Sequence, residues 1–240
     1  MKLVTVINFL LILMVLLPIF QGQASSNQYA LIYKGPGSCL GCPEAAARIA
    51  TSLQLPIQYI EPGNLTAKTF SNAAVYIQAG GDDSLDIKAA LSAEEISALK
   101  NYVKTGGRYW GLCAGAYFAG ETIDDQGKVK GLNIIPGDAE PYTRSHQARV
   151  ELVTWQGQKR QMYLQDAPHF RLQADAKVIP IAYYKNGSIA AFITDYGKGK
   201  VAVCGPHPEA DYAWFDKDGL PRPAVLSQDL AVEMLRELLR

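Results

Sequence analysis

The sequence predicts one α/β domain: a central, mainly parallel sheet, an added antiparallel portion and flanking helices. Three observations carry this expectation. In the first half, strand-like apolar runs alternate with helix-like runs, the pattern that right-handed crossovers into a parallel sheet produce. In the second half, strand-like runs follow one another, and Asn186-Gly187 lies between two of them as a hairpin signal. The 240 residues are 48% hydrophobic, enough for one substantial globular domain.

The first segment reads as a leader rather than as part of the fold. Lys2 and the amino terminus precede a nearly all-apolar run from Leu10 to Phe20, and Gly22-Gln23-Ala24 puts small residues at −3 and −1 of a cleavage site. The run falls short of the ~20 residues of a spanning helix, and Pro18 interrupts it, so a retained anchor is the weaker reading. The expected division is a signal peptide over 1–24 and a single domain over 25–240. The exported protein would be secreted or periplasmic, with no stable membrane association once the leader is cut.

Within the domain the elements follow in order. "YALIYK" is a buried strand, "GPGSCLGCPE" a turn, "EAAARIATSLQL" a helix and "PIQYIE" a second strand. "AAVYIQAGGDD" is a third strand ending in a double glycine. "SAEEISALKNYVKTGG" is a helix with Ser92 and Glu95 as a capping box and Gly106-Gly107 as its stop. "RYWGLC" and "AGAYFAGE" are a fourth strand and its helix. Then come the strands "RVELVTW", "RQMYL", "KVIPIAYY", "SIAAFITDY" and "GKVAVCG", and a last helix from about Ala224 to Leu239.

Charge narrows the function classes. Lys and Arg number 23 and Asp and Glu 23, with no block of like charge. That gives no electrostatic case for nucleic acid or an anionic membrane.

Chemistry concentrates at "GLCAGAYF". Cys113 ends a strand and opens a helix, with Gly111 and Gly115 two residues to either side, the spacing of a nucleophile elbow. In so tight a turn, side chains two residues away must be nearly absent. A helix N-terminus lowers a thiol pKa, and the Ala114 amide would face a developing oxyanion. The bland alternative is a buried structural cysteine among packing glycines. A thiolate nucleophile needs a base, and the base an orienting group. "GPHPEAD" supplies His207 and Glu209 directly after a strand that can lie beside that of Cys113.

"GGRYWGLCAGAYFAG" with "GPHPEAD" resembles the class I glutamine amidotransferase-like superfamily. More narrowly, "YKGPGS", "AGGDD", "IPGDAEPY" and "GKGKVAVCGPHPE" resemble the biotin-protein ligase N-terminal-like domain, over nearly all of 25–240. The resemblance implies a flavodoxin-like three-layer sandwich and a catalytic triad of Cys113, His207 and Glu209. It also implies a second oxyanion N–H from Gly80 or Gly81. The ligase portion is missing, and no biotin chemistry follows. Elbows of this form also occur in serine peptidases resembling cyanophycinase, so the motif fixes a chemistry class better than a substrate. The expected activity is cysteine-dependent hydrolysis of a small amide or peptide, with no cofactor. A binding module that has lost turnover stands as the alternative.

Cys39 and Cys42 form a C-x-x-C pair in the loop after the first strand. Disulfides persist in exported proteins, and Pro43 starts a helix. A local disulfide at the mouth of the Cys113 site is the first expectation. Thiol exchange with Cys113 is the alternative, matching a strand–CxxC–helix redox motif. Zinc would need another thiol pair, and Cys113 with Cys204 lacks that spacing. Cys204 reads as core. Trp110 and Phe118 read as packing, Tyr117 as lining the pocket, and His146 and His169 as loop or packing residues.

Overall fold

A computed structural model describes residues 28–124 and 126–240; the expected leader lies outside the described residues. The first half runs β1 (Tyr29–Tyr33), α1 (Cys42–Ser52), β2 (Ile57–Ile60), α2 (Ala67–Phe70), β3 (Ala73–Gln78), α3 (Ser84–Ala90), α4 (Ala93–Lys104), β4 (Arg108–Leu112) and α5 (Ala114–Ala119). The second half runs β5 (Gly137–Pro141), β6 (Arg149–Trp155), β7 (Gln158–Leu164), β8 (Pro168–Leu172), β9 (Val178–Tyr183), β10 (Ile189–Tyr196), β11 (Gly199–Cys204), α6 (Tyr212–Lys217) and α7 (Gln228–Leu239).

The main sheet has nine strands in the order β2-β1-β3-β4-β11-β10-β9-β6-β7. From β2 to β11 every neighbour is parallel. From β11 outward every pairing is antiparallel. The expected α/β class, a parallel core with an antiparallel extension, is the observed one. The Asn186-Gly187 hairpin forms between β9 and β10, with Gly187 at φ 85° and its amide donating to Tyr184 O at 2.9 Å.

Alternation along β1 shows why the sheet is covered on both faces. Ala30 and Ile32 join a core with Trp110, Leu112 and residues of α1 and α7. Leu31 and Tyr33 face the opposite layer, with Leu99 and Val103 of α4 and Phe118 of α5. Strands buried on both faces read as continuous apolar runs, and so β1, β3, β4 and β11 do. Helix α4 starts where expected: Ser92 Oγ accepts from the Glu95 amide at 3.2 Å, and Glu95 Oε2 accepts from the Ser92 amide at 3.1 Å. Glu95 Oε1 also accepts from the Gly63 and Leu65 amides at 2.6 and 3.2 Å. One buried carboxylate thus caps the helix and ties down a distant loop.

Two features depart from the sequence reading. The last helix begins at Gln228 rather than near Ala224. Leu226 is drawn out to pack on the Tyr163, Ala210 and Phe215 cluster, and the first helical bonds end on Ser227 O. The short elements α2, α3, β5, β8 and α6 were not expected. β5 and β8 pair as a separate two-stranded sheet, although "GDAEP" carries a proline, two acids and no apolar alternation.

The elbow rests on its glycines. A Cβ on Gly111 would lie 2.5 Å from Gly115 O, and one on Gly115 would lie 2.1 Å from Gln78 O. Both obstacles are backbone and cannot rotate away. Gly115→Ala should therefore destabilise the fold by about 1–3 kcal/mol, the usual cost of overpacking. Gly120→Ala, whose Cβ meets nothing nearer than 3.2 Å, should cost less. Thermal unfolding of both variants checks this; equal melting temperatures would contradict it.

Candidate active site

Cys113 ends β4 and caps α5 with φ 47° and ψ −105°. A positive φ away from glycine costs on the order of 1–3 kcal/mol and persists only where the surroundings dictate it. They do so here. The Cys113 amide donates to Cys204 O at 2.8 Å, and its carbonyl accepts from the Ala116 and Tyr117 amides at 2.8 and 3.1 Å. The strand before, the neighbouring strand and the helix after all hold the turn. The first amides of α5 have no carbonyl within their own helix, so the Ala114 N–H is open to an external acceptor.

β11 runs parallel beside β4, with Cys204 level with Leu112. The chain leaving β11 therefore passes the same sheet edge. His207 Nδ1 lies 2.8 Å from Glu209 Oε1, and the two residues are 5% and 0% exposed. The Cys113 sulfur lies near enough to the His207 ring to act on its charge. With Nδ1 engaged by Glu209, Nε2 is the nitrogen left for the sulfur. Burial alone would lower the His207 pKa. The negative charge of Glu209 and then the Cys113 sulfur outweigh it and raise the imidazole to about 10. Cys113, His207 and Glu209 thus come together from two strand ends.

Loops from β1 and β3 close the other side. Gly80 sits between His207 and the C-x-x-C loop: a Cβ there would lie 2.7 Å from His207 Cε1 and 3.3 Å from Cys42 Sγ. Gly81 is bridged to Ser38, and its Cβ would come within 3.3 Å of Ala114 Cβ. The bridge uses the Asp82 and Cys39 amides, which donate to Gly37 O and Gly80 O at 3.0 and 3.4 Å. The Gly81 N–H stays outside that pairing, beside Ala114. Cys39 and Cys42 are joined in a disulfide, with Cα atoms 5.4 Å apart. Cys113 and Cys204 are free buried thiols.

Residues 28–138 match the family described as biotin-protein ligase, N terminal. The match covers slightly less than half of the chain. The match contains Cys39, Cys42, Gly80, Gly81 and Cys113, and ends before His207 and Glu209. The chain is 23% identical over 239 residues to a biotin–protein ligase of Schizosaccharomyces pombe, covering 88% of this chain and 37% of that protein. The chain thus spans little more than a third of that relative. A solved glutamine amidotransferase superposes with a TM-score of 0.63 at 17% identity, over 86% of this chain and 98% of its own. PurLQS from Thermotoga maritima gives 0.61 at 14%, over 88% and 99%. At these identities the likeness establishes the fold, which is that of class I glutamine amidotransferase-like proteins.

Several residues at the site of this domain carry no local sequence signal. Tyr163 O accepts from the His207 amide at 3.0 Å, and the Tyr163 ring meets the His207 ring edge-on at 5.8 Å. Trp214 of α6 lies 5.1 Å from the same ring. The Gln165-Asp166 segment crosses above Cys113, whose sulfur lies 3.5 Å from Gln165 O. Tyr117, expected in the pocket lining, donates to Asp166 O at 3.1 Å. His146 is exposed in a loop and reaches Asp166 Oδ1 at 2.6 Å, while His169 lies 3.9 Å from Glu140. Trp110 and Phe118 are fully buried. Among the described residues, no group of three or more His, Cys, Asp or Glu is placed to hold a metal ion. No described helix is long and apolar enough to cross a membrane.

Two outcomes are expected. Non-reducing peptide mapping should recover Cys39 joined to Cys42 and Cys113 unlinked; a disulfide joining Cys113 to either partner would contradict the arrangement. The His207 ring should remain protonated at neutral pH. Its folded pKa lies above the ordinary 6.5, so the stability this charge contributes is full below that pH and is lost as pH rises through about 10. In Glu209→Gln the ring should titrate at lower pH, read from its NMR resonances. A wild-type ring that is neutral at pH 7 would refute the coupling.

Proposed function

We propose that this protein is an exported, cysteine-dependent amidase or amidotransferase-like hydrolase acting on a carboxamide or small peptide amide. The observation that carries the reading is the contact chain from Cys113 through His207 to Glu209, built at the edge where the elbow turns. Each member has a definite task. The Cys113 sulfur attacks the amide carbonyl carbon, and the carbonyl electron pair moves onto oxygen. The Ala114 and Gly81 N–H groups receive that oxyanion. His207 gives its proton to the leaving nitrogen, the C–N bond breaks, and a thioester remains. His207 then takes a proton from water, whose oxygen displaces the sulfur and releases the acid. Glu209 holds the imidazole in register and offsets its charge throughout.

The substrate is a small amide or peptide. Nucleic acid is not a partner in this reading, and the balanced charge supports that. The leader-like segment, with a Cys39–Cys42 disulfide in the domain behind it, supports a secreted or periplasmic location. A second reading is a binding module on the same fold. It is favoured by the 5% exposure of Cys113 beneath the Gln165-Asp166 segment.

Iodoacetamide labelling of Cys113 as a function of pH separates the chemistry. His207→Ala should slow the labelling of Cys113 near neutral pH and change its pH profile. An ordinary profile, unchanged by the substitution, would refute the triad. Steady turnover after a stoichiometric burst in an amide screen would exclude the binding module.

A further inference from the structure

The Gln165-Asp166 segment does more than connect β7 to β8. It touches the sulfur of Cys113, a residue 5% exposed. The Cys113 sulfur lies 3.5 Å from Gln165 O, so a main-chain carbonyl of this same chain already contacts it. Asp166 has φ 48°, a strained backbone for a residue with a side chain. The strain is held by contacts near the surface rather than by core packing. Tyr163 Oη lies 2.9 Å from Gln165 Oε1 and also meets Asp218 Oδ2, sharing its single proton between them. Tyr117 Oη donates to Asp166 O at 3.1 Å, and His146 Nδ1 meets Asp166 Oδ1 at 2.6 Å. Gln165 and Asp166 are themselves exposed, whereas Ala167 and Pro168, where the segment rejoins the fold, are buried.

We infer that Gln165-Asp166 is an autoinhibitory strap that closes the Cys113 site and must swing out before a substrate carbonyl reaches the sulfur. The strap's own peptide carbonyl acts as the placeholder. Tyr163 and Tyr117 are its latches, and the strain at Asp166 favours release once a latch opens. Tyr163 has a further role, since its backbone carbonyl and ring both meet His207. Opening the strap and presenting the imidazole therefore act through one residue. The inference deepens the proposed hydrolase, but access to Cys113 is measurable whether or not the site turns over.

The test is alkylation of the intact folded protein, with Cys113 and Cys204 quantified separately by mass spectrometry. Cys204 is fully buried and free, so it reports any general loosening of the fold. Labelling is carried to a pH at which the thiol is fully ionised. The limiting rate then reads access, while the apparent pKa reads the triad, and the two readings fail independently. In wild type the limiting rate at Cys113 should be far below that of a free thiol and should fall further with a bulky maleimide. Tyr163→Phe and Tyr117→Phe should each raise it roughly two- to tenfold, the worth of one latch hydrogen bond, with Cys204 silent. The double variant should exceed either single one. A wild-type limiting rate equal to that of a free thiol would overturn the strap. So would latch variants that leave Cys113 unchanged, or that raise Cys113 and Cys204 together.

Discussion

The backbone turn at Cys113 is the constraint on which the site depends. A residue with a side chain can hold φ 47° there only because three neighbours leave it no alternative. β11 takes its amide, α5 takes its carbonyl, and the glycines at 111 and 115 let the turn press against itself and against Gln78 of β3. Parallel order in the sheet does the rest. β3, β4 and β11 lie side by side and all end at one edge, so the chain leaving each delivers the Gly80-Gly81 loop, Cys113 and His207 to the same place. Ligand sites of open α/β sheets form outside the carboxyl ends of the strands for this reason.

Burial gives these groups their chemical character. A histidine this enclosed should prefer to be neutral, because desolvation penalises its charge. Glu209, fully buried and 2.8 Å away, reverses that preference, and the Cys113 sulfur adds to the reversal. The carboxylate has an opposite cost. Its Oε2 is buried without a hydrogen-bond partner among the described residues. A half-satisfied buried carboxylate is tolerable only when a close positive charge offsets it. Charge on the imidazole and burial of Glu209 therefore depend on each other.

The parallel half of the fold and the cluster of Cys113, His207 and Glu209 could be read from the sequence because their signals are local. Continuous apolar runs marked β1, β3, β4 and β11, the Ser92–Glu95 pair marked α4, and glycine spacing marked Cys113. His207 and Glu209 sit two residues apart directly after a strand. What escaped was fixed by remote contacts. β5 has no strand-like pattern and exists because β8 pairs with it. Tyr163, Trp214, Gln165 and Asp166 reach the site from the antiparallel portion and α6, with nothing in their neighbourhoods to mark them. The start of α7 moved because Leu226 found a hydrophobic cluster formed by residues far from it in sequence.

Two very different restraints flank Cys113. On one side the Cys39–Cys42 disulfide braces the loop against Gly80, and Gly80 touches His207. A covalent link between residues three apart does not open and close as a hydrogen bond does. It preserves the wall that carries Gly81 and limits how far His207 can tilt. On the other side the strap is held by hydrogen bonds near water, each contributing about 0.5–1.5 kcal/mol net. A ligand that replaces those bonds with its own can displace the strap within an ordinary binding energy. The permanent restraint therefore lies where geometry must be conserved, and the reversible one where a substrate must enter. Control of access belongs to the antiparallel addition, and the parallel core keeps the chemistry in register.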